Sequence, residues 1–251
     1  MNVPRSLLIS RPDALGDAVV TTTMAGWIKQ HAPSTHITVL CKRYARAVWE
    51  HCTHVDEVLV HLDELGVLGP HVLVAHAVHL DDAELDAVLR TRTAVASCPW
   101  AYLRLAQGFT AAARHGELVQ RGGRMAIGCD AENAGDAVDV LRAATLWVGL
   151  ARDRAMDPFS FTAHDALALA TRRGAEAIGE GATIGSLEVG KQADLVVHDT
   201  TGPQFVPRSS DPVLELIWAS DGRSVRDVVV AGRVVVRDKR CVTVDVDGLR
   251  A

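Results

Sequence analysis

Short apolar runs alternate with helical stretches through most of the chain and then give way to β-rich sequence. That alternation constrains the fold more than any other feature, because strand–helix–strand order builds parallel sheets with crossover helices. Ser6 to Ser10 (SLLIS) reads as a buried strand. Pro12 and Gly16 interrupt regular structure in RPDALGD, and helical spacing then runs to a stop at Pro33. His36 to Leu40 (HITVL) is a second strand, Tyr44 to His51 is helical, and Asp56 to Val60 (DEVLV) is a third strand.

The segment Leu62 to Pro70 punctuates the chain, and the alternation then restarts. Val72 to Ala75 (VLVA), Thr93 to Ala96 (TAVA) and Met125 to Gly128 (MAIG) read as strands. Asp81 and Glu84 form a capping-box pattern at a helix start. Ala137 to Ala151 is helical, and Thr162 caps one long helix closed by Gly179. Beyond it come β segments at Asp194 to His198, Val225 to Val230 and Arg233 to Arg237, with a hairpin turn at Ala231 to Arg233. The expected class is α/β: a partial (β/α) barrel or an open, mostly parallel sheet, with a small C-terminal β-element. The most economical arrangement joins the three N-terminal strands to the later ones in a six-stranded open sheet.

Composition narrows the function classes. With 48% hydrophobic and 23% charged residues, the chain has the makings of a packed core. A net charge of −5 gives no attraction for nucleic acid or an anionic membrane. No apolar run approaches the ~18 residues of a spanning helix, and the start, MNVPRSLLIS, has no long apolar signal region. The five cysteines form no CxxC pair, so neither a disulfide framework nor a thiolate zinc site is indicated. A cytoplasmic protein with a small-molecule partner is the expectation.

Two residues stand where (β/α) barrels place their chemistry, at the C-terminal ends of strands. His76 follows VLVA and Asp130 follows MAIGC. A carboxylate that binds a divalent ion and an imidazole that moves a proton suit metal-assisted hydrolysis. Position alone leaves both open to structural work, as a packed histidine and as a helix cap.

Longer segments add a family likeness. LVAHAVHLDDAEL, TAVASCPWAYLRLAQG, MAIGCDAENAGDAVDVLRAA, GATIGSLEVGKQADLVVHD and DPVLELIWASDGRSVRDVVVAGRVVVRDKR occur in this order over about residues 66–251. The set resembles the rear half of the amidohydrolase superfamily, in particular the adenosine-type and triazine-type deaminases and chlorohydrolases. The resemblance implies a hydrolase of non-peptide C–N bonds, acting on an amino-substituted heterocycle with a divalent metal, zinc. Carried over by position, Asp130 matches the eighth-strand metal ligand that orients the attacking water. His76 matches the sixth-strand histidine that polarises substrate or shuttles a proton, with a second ligand role open to it. His79 belongs to the same segment, with packing at the helix start as its expected role.

The chain also departs from that pattern. None of its 11 histidines forms the HxH pair that supplies metal ligands in the family. The fifth-strand histidine and its glutamate have no counterpart. Ser97 stands where a histidine is sometimes found, and Tyr102 where an asparagine is common. Tight zinc binding normally takes three protein ligands, so the implied enzyme reads as truncated and impaired.

Residues 1–62, with the LLISRPDALGD start and the HITVL and VDEVL strands, resemble the opening of the family 9 glycosyltransferases, the heptosyltransferase group. That likeness implies Asp17 as the acceptor-activating base, against a plain reading as a helix cap. The expected layout is a glycosyltransferase-type fragment at 1–62, a partial amidohydrolase barrel at 66–182 and a β-element at 183–251. A fusion near Leu62 to Pro70 would join them. Glycosyl transfer and an inactive fusion fragment are the alternatives to hydrolysis.

Overall fold

The computed structural model describes residues 5–11, 15–41, 45–59, 66–131, 134, 138–246 and 248–250. The chain divides into two compact units, Met1–Leu68 and Gly69–Ala251.

The first unit is a three-stranded parallel sheet in the order β1-β2-β3, formed by β1 (Ser6–Arg11), β2 (His36–Cys41) and β3 (Glu57–Leu59). Helices α1 (Leu15–His31) and α2 (Arg46–Glu50) make the crossovers. β2 alternates strictly, with Ile37, Val39 and Cys41 buried, the period-two pattern of a strand packed on one face. Those residues meet Ile9, Ala18, Ala25 and Trp49 in a small core.

In the second unit β4 (Leu73–Ala75), β5 (Ala94–Ser97) and β6 (Arg124–Ile127) form another parallel sheet, with β5 in the middle. Val74 pairs with Val95, and Val95 with Met125, so the three C-terminal strand ends lie side by side. The expected six-stranded sheet is therefore corrected: the described strands pair as two separate parallel sheets. The expectation took exposed strand edges to require strand partners; helices and loops cover sheet edges equally well.

Local signals place the helices. Helix α3 (Asp82–Thr91) starts at the anticipated capping box: the Glu84 amide donates to Asp81 Oδ1 at 2.9 Å, and the Asp81 amide to Glu84 Oε2 at 2.8 Å. Three short helices follow β5: α4 (Pro99–Arg104), α5 (Phe109–Ala112) and α6 (His115–Gln120). After β6 comes α7 (Val140–Ala155), whose Ala143, Ala144, Trp147 and Val148 are buried. The single helix expected after Thr162 is two, α8 (Ala163–Ala170) and α9 (Arg172–Ala177), broken at Thr171. The Thr171 hydroxyl donates to the Leu167 carbonyl at 2.6 Å, a side-chain bond that competes with the helical ladder. Gly185 presses on the same break: a Cβ there would sit 2.6 Å from the Ala175 Cβ and 3.3 Å from the Thr171 carbonyl oxygen.

The tail forms an open four-stranded antiparallel sheet in the order β10-β9-β8-β7. Its strands are β7 (Leu195–His198), β8 (Val225–Val230), β9 (Arg233–Arg237) and β10 (Arg240–Cys241), with α10 (Pro212–Trp218) between the first two. Ala231 and Gly232, at φ +49° and +77°, make the two-residue hairpin turn, in the type I′ sense that matches strand twist. No described helix is long and apolar enough to cross a membrane.

Candidate functional site

The C-terminal ends of β4, β5 and β6 carry the candidate chemistry. His76 is the first residue past β4, and its amide extends the ladder by donating to the Ala96 carbonyl at 2.9 Å. Asp130 lies three residues past β6. The structure brings the pair together across β5: His76 Nε2 is 3.7 Å from Asp130 Oδ2. That is close enough for a strong charge interaction when the ring is protonated, and too long for a direct hydrogen bond.

Both residues sit on strained backbone. His76, Ala77 and Asp130 adopt left-handed conformations, with φ +71°, +49° and +64°. Such angles in non-glycine residues cost on the order of 1–3 kcal/mol each and persist only where the surroundings enforce them. Asp130 is pinned locally, its Oδ1 accepting from the Ala131 amide at 2.7 Å. Among the described residues, His76 Nδ1 is buried without a hydrogen-bond partner. A buried N–H without a partner is rarer than a buried lone pair without one, which favours the proton on Nε2, facing the carboxylate.

Residues around the pair are dry and aromatic. The Tyr102 ring meets His76 edge-on at 5.7 Å and stacks on Phe109 at 5.2 Å. The Tyr102 hydroxyl accepts from the Cys98 amide at 2.7 Å, and burial pushes its pKa up. Burial, with the Asp130 charge nearby, pushes the Cys98 thiol up to about 11, so it is a neutral wall group and no nucleophile.

Sequence reasoning missed His115. It is 1% exposed at the start of α6, and burial pushes its pKa down to about 4. Its Nε2 lies 2.7 Å from the His76 carbonyl oxygen, and its Nδ1 lies 2.9 Å from Ser97 Oγ. No spacing rule links residues 39 apart, so no sequence signal pointed to it.

The other anticipated residues stand apart. His79 is exposed, while its neighbour Val78 is buried, so packing at the helix start is done by Val78. Asp17 falls in α1, and its side chain lies outside the described residues. Two concavities also lie elsewhere. One of about 430 Å³ is lined by Val19, Thr22, Gly26 and His54, and another by Asp139, Arg142, Asp221 and Arg223.

Among the described residues, no group of three or more His, Cys, Asp or Glu side chains is placed to hold a metal ion. His76 and Asp130 are two donors, short of the three protein ligands of a zinc site. The described donor set does not fit a tightly held zinc.

Comparison with known proteins identifies the family. Residues 24–235 match the Amidohydrolase family. A 5-methylthioadenosine/S-adenosylhomocysteine deaminase from Syntrophobacter fumaroxidans is 34% identical over 75% of this chain and 42% of its own length. A 5'-deoxyadenosine deaminase from Methanobrevibacter smithii is 32% identical over 74% of this chain and 42% of its own length. The chain thus spans about two-fifths of the length of these relatives. A Natronomonas pharaonis enzyme named like the first is 32% identical over 99% of this chain and 54% of its own. Among solved structures, an adenosine deaminase from Xanthomonas campestris with bound zinc aligns with 98% of this chain and 63% of its own, at TM-score 0.72 and 23% identity. The zinc complex of atrazine chlorohydrolase from Arthrobacter aurescens aligns with 97% of this chain and 52% of its own, at TM-score 0.72 and 23% identity.

These matches lend no support to the glycosyltransferase reading of the N-terminal segment. The family match begins at residue 24, and the longest alignments span both sides of Leu62 to Pro70. The glycosyltransferase resemblance of residues 1–62 is not supported, nor is a fusion of unrelated pieces, and the reason for giving Asp17 a role goes with them. Strand-loop-helix openings are common to many parallel α/β folds, which is why a short N-terminal stretch resembled another family. With three parallel strands presenting His76 and Asp130 at their ends, and a match over residues 24–235 of 251, the chain belongs to the amidohydrolase family.

Proposed function

We propose that this chain carries the proton-transfer side of a deaminase-type amidohydrolase site, acting on the exocyclic amine of an adenine-like heterocycle. The single observation that carries the proposal is the His76–Asp130 pair, 3.7 Å apart on strained backbone past the ends of β4 and β6, the two strands that flank β5. The reaction exchanges an amine for a carbonyl oxygen: water adds to the amidine carbon, and ammonia leaves with a proton it must be given. Asp130 is the acceptor that orients the water and takes its proton. His76 Nε2 is the donor that holds a proton at the ring nitrogen or the departing amine. The 5-methylthioadenosine/S-adenosylhomocysteine and 5'-deoxyadenosine deaminases among the relatives support a purine nucleoside as the substrate class.

Solved relatives hold zinc, whose charge lowers the pKa of a bound water towards ~7. The two donors described here fall short of a zinc site, so zinc enters no step of this scheme. That shortfall favours a second reading of the isolated chain, as impaired. Its expected result is zinc well below one equivalent and background ammonia release from aminopurines, aminopyrimidines and triazines. Stoichiometric zinc, with turnover abolished by Asp130→Ala, would overturn that second reading.

The primary proposal is tested by binding. Histidine ring resonances are followed while 5'-deoxyadenosine is added. The His76 signals move in the wild type and stay still in Asp130→Ala. Unmoved His76 signals with every aminopurine, aminopyrimidine and triazine tried would refute the assignment.

A further inference from the structure

The His76 turn is held from inside the protein. His76 and Ala77 both occupy left-handed backbone, and the turn directs its carbonyls at the buried ring of His115. His115 Nε2 is 2.7 Å from the His76 oxygen and 3.3 Å from the Ala77 oxygen. A carbonyl oxygen only accepts, so Nε2 carries the proton. Nδ1 is then an acceptor, and the Ser97 hydroxyl, 2.9 Å away, donates to it. The chain of donors therefore has one direction: Ser97 to His115 to the His76 carbonyl. Ser97 and His115 are buried, at 0% and 1% exposure, so water does not take over either bond. The ring plane is set as well, by edge contacts to Tyr102 at 5.9 Å and Phe109 at 5.2 Å.

We propose that His115 is a positioning residue for His76, and that Ser97 supports it in that task by donating to Nδ1. A core histidine kept only for packing has no need of a defined tautomer, nor of a donor aimed at a strained carbonyl. Here the donor meets the one turn that points the His76 ring at Asp130. The functional consequence rests on the deaminase-type reading above; the hydrogen-bond chain does not.

The test separates the two. In the free wild-type protein, long-range proton–nitrogen NMR spectra report which ring nitrogen of His115 is protonated. The expected result is the Nε2–H form alone. The His76 ring signals are then compared in His115→Gln and His115→Phe. Glutamine keeps an N–H that reaches the His76 carbonyl; phenylalanine fills the space and offers none. His76 signals are expected to stay at their wild-type positions in the glutamine variant and to move in the phenylalanine variant. If the phenylalanine variant does not fold, Ser97→Ala takes its place: the ring remains, Nδ1 loses the donor that holds it, and the His76 signals are expected to move. A wild-type His115 in the Nδ1–H form would overturn the proposal. So would His76 signals unmoved by His115→Phe, or, where that variant does not fold, by Ser97→Ala. In whatever preparation turnover is measured, His115→Phe lowers kcat by about 10²-fold with little change in KM, the cost of a misaimed group, and His115→Gln restores it. His76 signals that do not respond to any aminopurine, aminopyrimidine or triazine, alongside the expected spectra, count against the deaminase reading and leave the positioning role standing.

Discussion

Arg124 offers a sharp test of how the second unit is held together, because one guanidinium closes four backbone carbonyls at the strand ends opposite the candidate site. One terminal nitrogen donates to the carbonyls of Pro70 and Arg92, at 2.7 and 2.8 Å; the other donates to those of Glu176 and Ala177, at 2.7 and 3.0 Å. Arg92 caps the end of α3, and Glu176 and Ala177 are the last residues of α9, so three of the four are helix-end acceptors, Glu176 also accepting from the Gly179 amide at 3.1 Å. They also form the negative ends of two helix dipoles. Arg124→Met keeps much of the aliphatic stem and removes every donor. Bonds to a charged group contribute about 1.5–3 kcal/mol each when dry; with carbonyls that water can reach after the substitution, about 0.5–1 kcal/mol each remains, or about 3 kcal/mol in all. For a chain of this size that lowers the melting temperature by roughly 6–12 °C. Arg124→Lys is expected to lose about half as much, because a compact ammonium cannot span both pairs. Calorimetry gives the midpoints, and hydrogen exchange of peptides covering Ala94–Ser97 and Arg124–Ile127 shows that the loss falls in this unit. A methionine variant melting within about 1 °C of wild type would refute the reasoning, since it would mean the four carbonyls are as well served by water.

Three further outcomes follow from particular residues. Gly185→Ala, at φ +91° and with Ala175 Cβ 2.6 Å from the new methyl, should lower the urea midpoint by the equivalent of about 2–4 kcal/mol in equilibrium unfolding. His115 has its folded pKa depressed to about 4 from 6.5, so its contribution is fully present above pH 6.5 and is lost as pH falls towards 4. Stability measured by denaturant unfolding should drop by up to about 3 kcal/mol over that window, and His115→Gln should remove that part of the slope. Ala231 occupies left-handed backbone in the hairpin turn, where asparagine is the favoured residue; Ala231→Asn should stabilise by about 0.5–1 kcal/mol, read as a raised thermal midpoint.

Residues three or four apart wrote much of the fold into the sequence. The Asp81–Glu84 box, the Thr162 cap, the alternation in β2 and the Ala231–Gly232 turn are all local, and each appears where its pattern placed it. The positions of His76 and Asp130 were legible for the same reason, since a polar residue just past an apolar run lands at a strand end. Their approach to 3.7 Å was not local, and only the parallel register through β5 decided it. The two separate sheets, the break at Thr171 under Gly185, the Arg124 clamp reaching 54 residues back to Pro70, and the Ser97–His115–His76 chain had no sequence signature at all. The physical reason is the range of the forces. Caps, turns and strand alternation satisfy a backbone group with a neighbour in sequence, so residue type and spacing suffice to specify them. A buried donor aimed at a distant carbonyl exists only once packing has brought the two together, and the same histidine in another tertiary setting would donate elsewhere.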